Sequence, residues 1–369
     1  MRIDELLPAL AEALRTRPGY EEIAPEALAP LPTTGLAHDH VRIGGTGRLL
    51  RVPRQSQMRL DARANLAYQA ACFERASASG AAPRCFGAIE PGADLPMGAL
   101  IVEEIAGPMV RFPDDAPAVA DALAAIHALP VPASADRPPL ADRGDPYAAT
   151  LAEVRDQGRA LAAVDLEPAA RRLIEAEIAA AEAHAAGLEQ PAPITLISFD
   201  AHPGNFLKRA ADDRAVLVDL EKARYGAAGF DLAHATLYTS TTWDVASYSE
   251  PTHAEIAGFY ERYLEASPGA LAAAQRPHLM ALRRLMWLWS ISWCAKWRVE
   301  SALAARTDKH RADDTEDWSA DNTDAALIAH VRDRVDHYLA PETIERVIAD
   351  WRGDHALTDA LGRLYTNSR

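Results

Sequence analysis

Three oxygen-bearing side chains stand close together in the stretch ITLISFDAHPGNFLKRAADDRAVLVDLE, residues 194–221. Asp200 and Asn205 are five apart across a short loop, and Asp219 follows at the end of the run AVLVDLE. Carboxylate and carboxamide oxygens are hard donors, and this spacing suits two metal ions and a nucleoside triphosphate. Locally the stretch reads as loop, strand, tight turn over RAADDR, and strand. Such a hairpin would hold the three ligands on one rigid edge. Polar loop residues satisfied by their neighbours would show the same types, so the rest of the chain must supply a place for a nucleotide.

The elements that would position this stretch can be read in order. Residues 3–15 carry leucines at 6, 7, 10 and 14, a helical spacing, and Pro18-Gly19 ends the run. From Leu31 the texture becomes β, with DHVRI and RLLRV flanking the turn Gly44-Gly45-Thr46-Gly47. Gly35, just before the first of these runs, is either an ordinary turn glycine or one that lets backbone lie over phosphates. Residues 61–79 form a helix with Leu66, Ala70 and Phe73 on one face, and RCFGAIE and MGALIVEEI give two further strands. The sum is a small five-stranded α+β lobe with one helix packed on it, left through VEEIAGP at 102–108. Beyond it the chain is mainly helical, over 117–129, over 147–187 as two helices divided at Pro168, and again towards the C-terminus.

Composition narrows the function classes. A 369-residue chain with nearly half its residues apolar is long enough for two lobes. A formal charge of −15 argues against nucleic acid or an anionic membrane as partner and is compatible with a cationic substrate. Cys72, Cys85 and Cys294 form no CxxC pair, which points to neither a disulfide framework nor a zinc site. The charged N-terminal stretch is no signal peptide, and MWLWSISWCA at 286–295 is too short to span a bilayer. A soluble, cytoplasmic protein is expected.

The sequence resembles the aminoglycoside phosphotransferase and choline kinase family over about residues 30–300. The likeness rests on Asp200-Ala-His202-Pro203-Gly204-Asn205, matching a D-x-H-P-G-N loop, on Val218-Asp219-Leu220-Glu221, matching a metal-binding D-x-E, and on LAAIHAL upstream. It implies a bilobal, protein-kinase-like α+β fold with a small β-rich N-lobe and a larger, mainly helical C-lobe. Residues 1–30 would be an N-terminal helical extension, 31–103 the nucleotide-binding lobe, and 104–369 the lobe with catalytic loop, metal site and acceptor pocket. ATP and Mg²⁺ are the implied cofactors. Asp200 would accept a hydrogen bond from the attacking hydroxyl and take its proton late, with His202 supporting the loop beside it. Asn205 and Asp219 would coordinate Mg²⁺, and Glu221 would orient a metal-bound water. Glu103, Glu104 and Ile105 would offer backbone groups to an adenine edge. Asp231 in GFDLAH would brace the catalytic loop, and His127 is a hydrogen-bonded core histidine.

Three departures from the family pattern bear on the chemistry. Ser198-Phe199 stands where the loop often begins His-Gly. Arg51 occupies the strand position of a phosphate-binding lysine, and its planar fork differs from a point charge. Gln69 falls where a glutamate would pair with that cation, so Arg51 would lack an orienting ion pair. These departures question nucleotide use more than fold.

The acceptor should lie beyond Asp219. Trp287, Trp289, Trp293 and Trp297 form either an aromatic box for a quaternary ammonium or core packing. The acids between 308 and 324 form either a polyamine-attracting segment or a solvated loop. The expected activity is transfer of the γ-phosphoryl group of ATP to a hydroxyl of a small, cationic molecule. The alternatives are a nucleotide-binding protein without turnover and a kinase for a neutral, sugar-like metabolite.

Overall fold

Five short strands assemble into one antiparallel sheet: β1 (Leu28–Pro30), β2 (His38–Ile43), β3 (Arg48–Pro53), β4 (Cys85–Ile89) and β5 (Ala99–Glu103), in spatial order β1-β2-β3-β5-β4. The computed structural model describes residues 2–32, 37–304 and 325–364. Glycines shape the β2–β3 turn, where Gly45 and Gly47 take φ of 73° and 66°, values that cost a side-chain-bearing residue about 1 kcal/mol or more. The register sets His40 opposite Arg51. Because strand side chains alternate, His38, His40 and Arg51 share one face of the sheet.

The helix α1 (Ile3–Arg15) buries Leu6, Leu10 and Leu14 in the same core as Val41, Ile43, Leu50 and Ile101 of the sheet. The helix α2 (Ala62–Ser77) starts where Asp61 accepts a hydrogen bond from the Ala64 amide at 2.9 Å. Its Leu66 and Phe73 join Leu100 and Val102 in the larger core, which continues through the helical part of the molecule. The Tyr68 hydroxyl donates to the Ala223 carbonyl at 2.7 Å, so α2 joins the sheet to the segment after Asp219.

After the sheet come α3 (Ala116–His127), α4 (Pro146–Gly158) and α5 (Pro168–Ala186), with Pro146 and Pro168 in the first turns, where a missing amide hydrogen costs nothing. Two small ribbons follow, β6 (Ile194–Ile197) with β9 (Arg224–Ala227), and β7 (Phe206–Lys208) with β8 (Ala215–Leu217). The rest is α6 (Gly229–Thr236), α7 (Tyr238–Thr241), α8 (His253–Ala266), α9 (Gly269–Gln275), α10 (Leu279–Ala304), α11 (Ala325–Tyr338), α12 (Pro341–Ile348) and α13 (Ala356–Leu361). A mixed α+β architecture, sheet first and helices after, is therefore what the chain adopts. No described helix is long and apolar enough to cross a membrane.

The hairpin expected over 194–221 is confined to β7 and β8, because residues 194–197 pair with β9 instead. The tryptophans of α10 do not form one box: Trp287 packs on Trp351, Trp289 on Phe199, and Trp293 on Trp243, with ring centroids 5.1–6.0 Å apart. Each ring fills a different part of the core between α10 and its neighbours.

Candidate active site

The open end of the β7–β8 hairpin builds the site. Phe206 pairs with Leu217, so Asn205 and Val218 are held side by side, and the Val218 amide donates to the Asn205 carbonyl at 2.9 Å. That pairing brings the loop bearing Asp200 next to Asp219, although the two are far apart in sequence. The Asn205 side-chain nitrogen donates to the Asp200 carbonyl at 2.7 Å, leaving its oxygen as an acceptor.

The loop before the hairpin is held from behind. Phe199 sits at φ 61°, a left-handed conformation that glycine adopts freely and phenylalanine does not. Its ring is buried, edge-on to Phe230 and Trp289, with the Arg224 guanidinium 3.4 Å from the ring centroid. The two oxygens of Asp231 accept the Ser198 and Phe199 amides at 2.7 Å each. His127 touches Asp231 at 3.2 Å and the Tyr263 hydroxyl at 3.0 Å, which makes it part of a buried polar relay. Ser198 fills the place of the missing histidine: its hydroxyl accepts from the Asp200 amide at 3.3 Å and donates to the Asp219 carbonyl at 3.4 Å.

Asp200 has a partner that the sequence did not announce. Lys222 Nζ lies 2.7 Å from its Oδ2, and His234 Nδ1 lies 3.7 Å from its Oδ1. Burial alone would raise the Asp200 pKa, but Lys222, with His202 and His234 behind it, outweighs burial and holds the carboxyl well below the usual range. His234 is pushed down to about 4 by burial and stays neutral at pH 7. The ring of His202 lies 6.0 Å from that of His234, centroid to centroid, and its Nδ1 is buried without a hydrogen-bond partner among the described residues.

From the five-stranded sheet, Arg51 donates from one terminal nitrogen to Asp219 Oδ1 at 2.6 Å and lies 3.1 Å from His38 Nδ1. Gln69 is not beside Arg51, contrary to expectation. His38 stands between them, its Nε2 being 3.0 Å from Gln69 Oε1. Glu221 lies 3.6 Å from His38, both nearly inaccessible, and burial followed by the Asp219 charge raises its pKa to about 8. The amides of Glu103 and Glu104 already donate to the Arg84 and Gly47 carbonyls, so a base edge would meet the carbonyls of these residues or Ile105. Gly35 and the acids between 308 and 324 lie outside the described residues.

Two observations test whether a metal and a nucleotide fit. The Asn205 oxygen, Asp219 and Glu221 are all hard donors, which suits Mg²⁺. Arg51 Nε is buried with no hydrogen-bond partner among the described residues, a donor that a phosphate oxygen would satisfy. Both are compatible with a magnesium–nucleotide complex.

Two positions had readable signals that the sequence reading passed over. Lysine is scarce here, at 208, 222, 296 and 309 only, against 34 arginines, so a lysine directly after Asp219-Leu220-Glu221 stands out. His38 and His40 sit two apart on one strand, hence on the face that carries Arg51.

The profile of the phosphotransferase enzyme family matches residues 31–273. No curated protein sequence matches the chain. Among solved structures, a choline/ethanolamine kinase family protein from Mesorhizobium loti is similar with a TM-score of 0.55 and 17% identity, covering 93% of this chain and 98% of the other. A choline kinase from Cryptosporidium parvum Iowa II is similar with a TM-score of 0.58 and 14% identity, covering 94% and 97%. A macrolide 2'-phosphotransferase from Brachybacterium faecium is similar with a TM-score of 0.52 and 18% identity, covering 83% and 95%. At these identities the likeness establishes a common fold.

Proposed function

Because the chain belongs to the phosphotransferase enzyme family and is a small-molecule kinase, we propose that it moves the γ-phosphoryl group of ATP to a hydroxyl of a small, cationic acceptor. The observation that carries this reading is the convergence of Asp200, Asn205 and Asp219 at the open end of one hairpin, with Arg51 reaching them from the sheet. On this reading residues 31–103 would bind the nucleotide, and 104–369 would carry the catalytic loop, the metal site and the acceptor pocket. Asn205 and Asp219 would hold Mg²⁺, with Glu221 orienting its water, and the ion would supply charge neutralisation on the phosphates.

The chain's own residues do the remaining work. Asp200 binds the acceptor hydroxyl and orients its oxygen for in-line attack. Since its pKa is held low, it takes the proton only once the oxygen has largely bonded to phosphorus. Lys222 keeps Asp200 ionised and fixes its rotamer, and Ser198 ties the backbone of Asp200 to that of Asp219. Arg51 would exchange its Asp219 contact for phosphate oxygens.

A cationic acceptor is favoured by Asp244. Its carboxylate oxygen lies 3.1 Å from where a Cβ on Gly204 would stand, in the same loop as Asp200, and accepts from Ser247 at 3.1 Å. The deciding experiment offers magnesium and ATP with a panel of amino alcohols, amino sugars and neutral sugars. Phosphorylation of amine-bearing compounds with the higher kcat/KM is expected. Better use of neutral sugars would replace the acceptor class, and ATP binding without phosphate loss across the panel would make the chain a binding protein. Asp200→Asn should leave ATP affinity intact and cut kcat about a hundredfold or more; unchanged turnover would remove the role given to Asp200.

A further inference from the structure

We infer that His38 is the positioning residue for Arg51, taking the place of an acidic partner and aiming the guanidinium at Asp219 and, on the reading above, at the nucleotide phosphates. A guanidinium only donates. The 3.1 Å contact from Arg51 to His38 Nδ1 therefore makes Nδ1 the acceptor and puts the ring proton on Nε2. That proton points where it is needed, because Nε2 is 3.0 Å from the Gln69 oxygen and 3.6 Å from Glu221. Gln69, His38 and Arg51 thus form a directional relay ending on Asp219 at 2.6 Å. All three are buried, with relative exposures of 1–3%, so no water competes for these contacts.

The charge consequence separates this arrangement from an ion pair. A glutamate would orient the cation and also offset its charge, whereas a neutral imidazole orients it and leaves the full charge directed across the cleft. Arg51 then meets Asp219, and on the reading above the phosphates, with a charge that its orienting partner His38 does not offset. A guanidinium on a flexible stem without such an acceptor samples several rotamers, and each loses the fork geometry that suits phosphate oxygens. The neighbouring His40, 3.5 Å from the other terminal nitrogen, is a weaker second acceptor.

Two substitutions divide the imidazole's functions. Asparagine reproduces an acceptor near Nδ1, and glutamine reproduces a polar group near Nε2. His38→Gln should weaken ATP binding in calorimetry about tenfold, the range for losing one hydrogen bond to a charged group, while His38→Asn retains affinity within about threefold. Equal losses in both variants, or no loss in His38→Gln, would overturn the assignment. A second readout needs no nucleotide: ¹⁵N spectra of the ligand-free protein should show the Nε2–H tautomer of His38 and a motionally restricted Arg51 guanidinium that loosens in His38→Gln. The Nδ1–H tautomer, or an Arg51 equally mobile in both proteins, would overturn it as well. If wild-type protein failed to bind ATP, the kinase reading would fail, and these spectra would still decide between His38 holding Arg51 and not holding it.

Discussion

A half-buried carboxylate must be stabilised by something, and at Asp200 that something is chiefly the ammonium of Lys222. With burial raising its pKa and Lys222, His202 and His234 together lowering it by more, Asp200 is a carboxylate throughout the physiological range. The same enclosure acts in the opposite sense on His234, which is uncharged when folded. Its folded pKa of about 4 lies below the ordinary 6.5, so its contribution to stability is complete above pH 6.5 and is lost as pH falls towards 4. Between pH 7.5 and 5 the loss from this one ring should be about 2 kcal/mol. Urea unfolding at the two pH values should show that difference shrinking in His234→Gln. Equal pH dependence in the two proteins would mean that the ring is solvated or protonated in the fold. Phe199 likewise depends on neighbours distant in sequence. A phenylalanine at positive φ is tolerable because Asp231 fixes the two neighbouring amides and three side chains enclose the ring. Nothing in the dipeptide Ser198-Phe199 announces this, since the compensation comes from α6, α10 and β9.

Elements decide which of these residues meet. The β7–β8 hairpin is only three residues to a strand, yet its open end sets Asn205 against Val218 and so sets the distance from the loop of Asp200 to Asp219. Gly204 sits in the tightest part of that loop. A Cβ there would stand 2.9 Å from the His202 ring and 3.1 Å from Asp244, so Gly204→Ala must displace the ring, the carboxylate or both. The expected result is a loss of about 1–3 kcal/mol in stability and, with Asp244 on the acceptor side as proposed above, a fall in kcat larger than the rise in the ATP KM. An alanine variant with unchanged kinetics would show that neither side chain is held in place. The elements themselves were largely readable. The spacing of Leu66 and Phe73, the glycine turn at 44–47 and the proline at 168 each reflect a local rule that the folded chain obeys. Pairings across the fold were not readable, because no local rule records them. The partnership of residues 194–197 with β9, the insertion of His38 between Arg51 and Gln69, and the reach of Lys222 back to Asp200 all join positions from 13 to 33 residues apart.

The helical part of the molecule is bound together by α10, whose N-terminal turns carry two buried arginines in succession. Arg284 is 2.5 Å from Glu177 of α5, and Arg283, fully buried, is 2.5 Å from Asp350. Arg283 also donates to the Thr236 hydroxyl at 2.7 Å, at the far end of the helix whose Asp231 holds the Ser198 and Phe199 amides. A continuous path therefore runs from the C-terminal segment, beyond the stretch that matches the family profile, to the back of the loop that carries Asp200. Burial pushes the Asp350 pKa up, and Arg283 together with His253 overcomes it, so the pair stays ionised when folded. Charges so enclosed are costly to separate and of small net value when both are replaced. Asp350→Ala should accordingly destabilise the protein by about 3–5 kcal/mol in denaturant unfolding, by leaving Arg283 buried and unpaired. The double variant Arg283→Met, Asp350→Leu, which removes both charges and keeps volume, should recover most of that loss. If the single substitution cost no more than the double, the pair would not be shielded from solvent, and the C-terminal segment would be an appendage to the helical part instead of part of its frame.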